Sequence, residues 1–186
     1  MNQQSIYKSI LVTSAILIFG MLHSPLQADE TYARKGAEKD DSGHVRIPNQ
    51  VDENLKIVYQ VSDDKLKDGV SRALFYARKL LDMYNENGIS DDKIQYHLVF
   101  HSDATNALVN DKTRERLEAA GGATNPNLGI LAELIERGVS IELCESSMKQ
   151  HDVESKDLLP DVATVRGAFP RIISLQHLGH AYVKFE

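Results

Sequence analysis

The sequence predicts a parallel α/β sandwich, and three observations carry that expectation. Short β-rich runs alternate along the chain with segments whose apolar residues recur at helical spacing. The connections between successive runs are long enough for helical crossovers, as parallel strands require. A chain of 186 residues, 42% of them hydrophobic, can build one substantial core but not a second full catalytic domain.

Residues 1–28 read as a signal peptide. Met1 to Lys8 carries one positive charge and no acid, and the apolar run from Ile10 to Phe19 follows. That run is shorter than the roughly 20 residues of a membrane span, and Ala28 supplies a small residue for cleavage. The expected location is therefore periplasmic or secreted, with no stable membrane insertion after cleavage. No cysteine follows the run, which argues against a lipid anchor there. Residues 29–53 are polar and almost without apolar periodicity, so they read as a flexible leader; the α/β domain is expected over 54–186.

Within that domain, Lys56 to Val61 is the first β-rich run, and Ser62-Asp63-Asp64 offers a helix cap. From Leu66 the apolar positions Val70, Ala73, Leu74, Ala77, Leu80, Leu81 and Tyr84 predict a helix that stops at Asn87-Gly88. Lys93 to Phe100 is the second strand, Asp103 to Val109 starts a second helix, and Gly121-Gly122-Ala123 is a loop. Leu128, Leu131, Leu134 and Ile135 form another helical stripe, closed by Gly138. Val139 to Leu143 is the third strand, with Cys144 at its carboxyl end and a short helix from Glu145. A turn near Asp152 and a helical turn before Pro160 lead to the fourth strand, Val162 to Val165. Pro170 marks a helix start, and Ala181 to Phe185 closes the sheet.

Several chemistries are disfavoured. A net charge of −6 supplies no cationic surface for nucleic acid. No glycine-rich phosphate loop follows the first strand, and neither a Gly-x-Ser-x-Gly elbow nor a His-Glu-x-x-His zinc motif is present. His97 and His101 lie four apart on a strand, about 13 Å at 3.3 Å per residue, too far to share a metal. His177 and His180 could meet at the turn into the last strand, but two ligands make no zinc site. No metal or other cofactor is expected.

One cysteine remains. An exported chain with a single thiol forms no internal disulfide, so Cys144 is inert and buried, paired between chains, or reactive. Its place at a strand's carboxyl end, opening a helix, favours reactivity, because functional crevices of open α/β sheets lie at that edge and amide N–H groups there stabilise a thiolate. Glu142 and Glu145 would oppose the anion by like-charge repulsion. His101 and Arg166 finish the second and fourth strands at the same edge. The first could shuttle a proton and the second stabilise a sulfur anion; either could equally be a solvated loop residue. His177 and His180 belong to the opposite edge.

The run Gly138-Val139-Ser140-Ile141-Glu142-Leu143-Cys144-Glu145-Ser146-Ser147-Met148 is preceded by Leu131 to Glu136 and followed by Leu158-Leu159-Pro160. It resembles the DsrE/DsrF-like family of sulfur-relay proteins. The stretch from Leu175 to Lys184 resembles the closing motif of exported members, and the similarity spans roughly Lys56 to Phe185. The resemblance implies a three-layer α/β/α fold with a five-stranded, mainly parallel sheet whose third strand lies between the second and fourth. It also implies homo- or hetero-oligomers and a persulfide carried on Cys144. Where cytoplasmic carriers often have basic and glycine residues after the short helix, this chain has His151-Asp152.

Two readings follow. The first is a periplasmic sulfur carrier, sulfurtransferase-like, that exchanges sulfur with thiol or persulfide donor and acceptor proteins. The second is a non-catalytic oligomeric interaction module with the same fold. A thioredoxin-like oxidoreductase is weaker than either, since there is no Cys-x-x-Cys.

Overall fold

The computed structural model describes residues 35–48 and 54–184, and the chain divides between Gln50 and Val51 into two units. The signal peptide expected over residues 1–28 lies outside the described residues. In the first unit, where sequence patterning predicts no element, Glu38–Lys39 pairs antiparallel with Val45–Arg46. The Asp40 carboxylate closes the turn by accepting the backbone N–H groups of Ser42 and His44, each at 3.0 Å. Every described residue of this unit is exposed.

The main sheet of the second unit is built from β1 (Leu55–Val61), β2 (Ile94–Phe100), β3 (Ser140–Cys144), β4 (Ala163–Val165) and β5 (Ala181–Val183). They form one sheet in the order β4-β3-β2-β1-β5, and each neighbouring pair is parallel. The helices are α1 (Arg72–Glu86), α2 (Asp111–Arg116), α3 (Leu128–Glu136), α4 (Glu145–Gln150) and α5 (Ala168–His177). Three layers result because the chain winds one way through β1, β2, β3 and β4 and then reverses to β5. Crossovers keep one hand, so a reversal of direction moves the connecting helix, α5, to the other face of the sheet.

The alternation of side chains along each strand divides the core accordingly. Tyr96, Leu98 and Phe100 of β2 and Ile141 and Leu143 of β3 pack with Leu74 and Leu81 of α1 and Leu131 and Leu134 of α3. Val58, Val99 and Cys144 face the opposite way, against Ala168, Ile172 and Leu175 of α5. Burying each such large aliphatic side chain stabilises the fold by about 1.5–3 kcal/mol. Among the described residues no helix is long and apolar enough to cross a membrane.

The first helix starts later than its apolar spacing predicts. Leu66–Lys67 and Val70–Ser71 form a small antiparallel hairpin, and α1 begins only at Arg72. The cause is Asp68-Gly69, both at positive φ (52° and 84°), the pair that a tight two-residue hairpin turn demands. The Arg72 guanidinium then pairs with Asp63 at 2.8 Å, so the expected capping acid holds the first turn through a side chain. The helix expected from Asp103 is instead the 3₁₀ segment Ser102–Ala107, in keeping with the poor helix propensity of Ser, Thr and Asn. Arg114 of α2 is buried, only 2% exposed. Its guanidinium donates to the carbonyls of Asn106, Ala120 and Gly122, pinning the loop after α2.

Candidate functional site

Sheet register assembles the site. Phe100 lies opposite Leu143, and Cys144 opposite Val165. The next residues of the outer two strands, His101 and Arg166, therefore stand on either side of Cys144. All three line one open cavity of about 530 Å³, with Ser102, Ser147 and Phe169 among its other walls. Arg166 is exposed, and no partner holds its guanidinium among the described residues.

Cys144 is 5% exposed and occupies the N-cap position of α4, without a side-chain capping hydrogen bond. Burial works against its thiolate. The donors around the sulfur outweigh that penalty: the N–H groups of Ser147 and Ala168, the Ser147 hydroxyl and the Ser146 N–H hold the thiol below its ordinary value. Two segments distant in sequence supply these donors, the start of α4 and the start of α5.

Glu142 does not play the part that its sequence position suggests. It lies two residues back on the same face of β3, buried, where Arg171 of α5 donates to it through Nε at 2.7 Å and Nη2 at 2.8 Å. His97 Nδ1 is 2.7 Å from the same carboxylate, and the Ser140 hydroxyl donates at 2.9 Å. Burial alone would raise the Glu142 pKa; the bonds from Arg171, His97 and Ser140 win and hold it down at about 2. The Arg171 charge thus compensates the repulsion expected at Cys144. Glu145 is half-buried, with its carboxylate 3.4 Å from the Thr164 hydroxyl.

His101 is tied into a hydrogen-bond chain. The Tyr182 hydroxyl donates to Gln60 Oε1, which turns the Gln60 amide N–H toward His101 Nε2 at 2.7 Å. The ring hydrogen then resides on Nδ1 and is donated to Ser102 Oγ at 2.9 Å. Burial, and secondarily the Lys184 charge, lower the His101 pKa, so the ring is neutral at pH 7. His101 thus lines the cavity with both ring nitrogens engaged.

The remaining histidines are elsewhere. His180 is buried at the start of β5, its Nδ1 2.9 Å from the Leu175 carbonyl, and its ring meets that of His97 edge-on at 5.1 Å. His177 is exposed on α5. No three His, Cys, Asp or Glu side chains among the described residues gather where a metal ion could be held.

Sequence reasoning missed Ser147, Ser102, Gln60 and the Ala168 N–H. Ser147 was within reach, since a residue three after an N-cap faces it. The Ala168 contribution depends on α5 folding back over β3, for which no local signal exists.

Fold and site together define a class: a three-layer α/β protein that presents its single thiol into a cavity at the carboxyl edge of a parallel sheet. The chain belongs to the DsrE/DsrF-like family, whose model matches residues 56–185. Two solved structures are similar to it. One is the protein of unknown function MTH1491 from Methanobacterium thermoautotrophicum, with 21% identity and a TM-score of 0.48 over 70% of this chain and 99% of that one. The other is the ychN protein from E. coli, with 19% identity and a TM-score of 0.48 over the same shares. No curated protein is significantly similar to the chain in sequence.

Proposed function

We propose that the protein is a sulfur carrier that holds one sulfur atom as a persulfide on Cys144 and works outside the cytoplasm. Membership of the DsrE/DsrF-like family supports a role of sulfur-relay type. The observation that carries the reading is the chain's only thiol, held below its ordinary value in a cavity that Arg166 and His101 also line.

The Cys144 thiolate attacks the outer sulfur of a persulfide or the sulfane sulfur of thiosulfate. A new S–S bond forms on Cys144, the donor's S–S bond breaks, and the donor leaves as a thiolate or as sulfite with the electron pair. An acceptor thiolate then attacks the outer sulfur and takes it, which regenerates the Cys144 thiolate. Arg166 stabilises the anionic donor and leaving group. His101 serves the proton shuttle through the Ser102 hydroxyl rather than by touching sulfur, since its ring nitrogens are already bonded. The partners are proteins that carry thiols or persulfides, and no nucleic acid is involved.

A second reading, a non-catalytic oligomeric interaction module, is favoured by the exposed Phe169 and Ile173 on one face of α5, 62% and 54% exposed. Mass spectrometry after incubation with polysulfide or thiosulfate separates the two. The native chain should gain the mass of one sulfur atom, Cys144→Ser none, and Arg166→Ala should load several-fold more slowly with an unchanged fold. A native chain that gains no sulfur, with a thiol that alkylates no faster than in the unfolded chain, would leave the interaction module.

A further inference from the structure

We propose that the cavity selects a persulfide carried on a small organic thiol that bears a carboxylate, of amino-acid or short-peptide size, with Arg166 holding the carboxylate and Phe169 the carbon skeleton. The proposal rests on Cys144 being the sulfur carrier and names the donor that loads it.

Size is the first argument. The cavity measures about 530 Å³, within the roughly 300–1,000 Å³ of sites that enclose a small organic molecule. An inorganic ion such as thiosulfate would leave most of that space to water. The walls also differ in kind. Ala168, Phe169 and Pro170, at the start of α5, form an apolar side, and Ser146 and Gln150 of α4 a polar one. Phe169 is 62% exposed, with its ring centroid 5.4 Å from that of His101. Covering that ring with carbon is favourable by about 25 cal/mol per Å² of apolar surface, a gain that an inorganic anion does not make.

Charge is the second argument. Among the described residues Arg166 is the one Lys or Arg in the cavity wall, and no Asp or Glu stands there. His101 is neutral at pH 7, so the wall carries a single positive charge. The guanidinium and the Cys144 thiolate cancel. A monoanionic donor then leaves one net negative charge and thiosulfate, a dianion, leaves two, which like-charge repulsion disfavours.

Placement is the third. The Ser146 hydroxyl donates to the Arg166 carbonyl at 3.4 Å, which ties the backbone to α4 and leaves the guanidinium to the cavity. Val165, the residue before, lies opposite Cys144 on a strand about 4.8 Å away. A carboxylate on the planar guanidinium fork therefore lies to the side of the sulfur, a few bonds from it, as in cysteine and its peptides. In thiosulfate the charged oxygens sit on the atom next to the transferred sulfur.

The Cys144 thiolate attacks the outer sulfur of the neutral persulfide R–S–SH. The donor's S–S bond breaks, a new S–S bond forms on Cys144 with the proton kept on the outer sulfur, and R–S⁻ leaves with the electron pair. No oxidant or reductant is consumed.

The experiment compares initial rates of Cys144 loading by intact mass, each divided by the rate of the same donor with the unfolded chain. The donors are the persulfides of N-acetylcysteine, of N-acetylcysteine amide and of glutathione, and thiosulfate. The acid should load about tenfold faster than its amide, the effect of one charge-assisted pair. Arg166→Gln should erase that difference, and Phe169→Ser should raise the half-saturating concentration of both organic acids several-fold. The faster of N-acetylcysteine and glutathione persulfides identifies the amino acid or the short peptide as the source.

An acid and an amide that load alike, or thiosulfate ahead of both on this scale, would overturn the proposal and leave the carrier standing. A preference that survives Arg166→Gln would overturn the role of Arg166, and an unchanged half-saturation in Phe169→Ser that of Phe169. A chain that loads from no donor would refute the carrier, and alkylation of Cys144 then decides the carboxylate site. Iodoacetate should gain about tenfold on iodoacetamide relative to the unfolded chain, and lose that gain in Arg166→Gln. Equal ratios in the folded and unfolded chain would overturn the site as well.

Discussion

Glu142 shows how the surroundings of one residue reverse the reading of its charge. Adjacent in sequence to the site, it reads as a repulsive neighbour of a thiolate; in the fold, Arg171, 29 residues later, binds it through two nitrogens. Its folded pKa of about 2 lies below the ordinary 4.5. The sign follows from linkage: the depressed carboxyl contributes stability that is fully present above pH 4.5 and is lost as pH falls toward 2. Urea denaturation at stepped pH should therefore show a steeper loss of stability for the native chain than for Glu142→Gln across that window. Identical slopes would mean that the pair contributes nothing. Arg171→Ala, which leaves the buried carboxylate unpaired, should cost about 3 kcal/mol at pH 7.

At the scale of elements, the hairpin before α1 tests whether turn chemistry or helical periodicity governs that segment. The apolar spacing from Leu66 through Tyr84 fits a helix throughout, yet Asp68-Gly69 takes positive φ and the first turn is lost to Leu66–Lys67 and Val70–Ser71. A Cβ at Gly69 would meet nothing within 4 Å, so the effect of a substitution there is conformational rather than steric. Gly69→Ala should lower stability by about 1 kcal/mol in equilibrium denaturation, and Gly69→Asn by less. An alanine variant as stable as native would show that the hairpin is incidental to the fold. The same competition explains Ser102–Ala107, where the chain tightens to 3₁₀ before Asn110 caps α2 by accepting the Thr113 N–H at 3.0 Å.

At the scale of the whole molecule, one face of the sheet is covered by several helices and the other chiefly by α5. Phe169, Ile173, Leu178 and Tyr182, on or next to α5 and β5, remain more than 40% exposed. Exposed apolar groups of this kind accompany association, and oligomers are the expectation for the folded chain. Light scattering should give a mass above that of one chain, and Ile173→Asp should shift it toward the monomer. A monodisperse native monomer across micromolar concentrations would remove the assembly argument and the interaction-module reading with it.

The succession of the five sheet strands along the chain, and Cys144 at the carboxyl end of the third, were legible in the sequence. Period-two and helical apolar spacing, turn residues and the placement of strand ends are local properties, and local properties survive reading one residue after another. His101 and Arg166 came within reach the same way, as the residues that follow strands; that they flank Cys144 depends on strand order. Only the tertiary structure decided what surrounds the sulfur. It turned Ser102 toward Ser147, carried the Ala168 N–H over β3, and gave Glu142 the guanidinium of Arg171. Each of these joins segments separated in sequence by 20 residues or more. Their energies depend on distance and burial in the folded molecule, and no pattern along the chain encodes either.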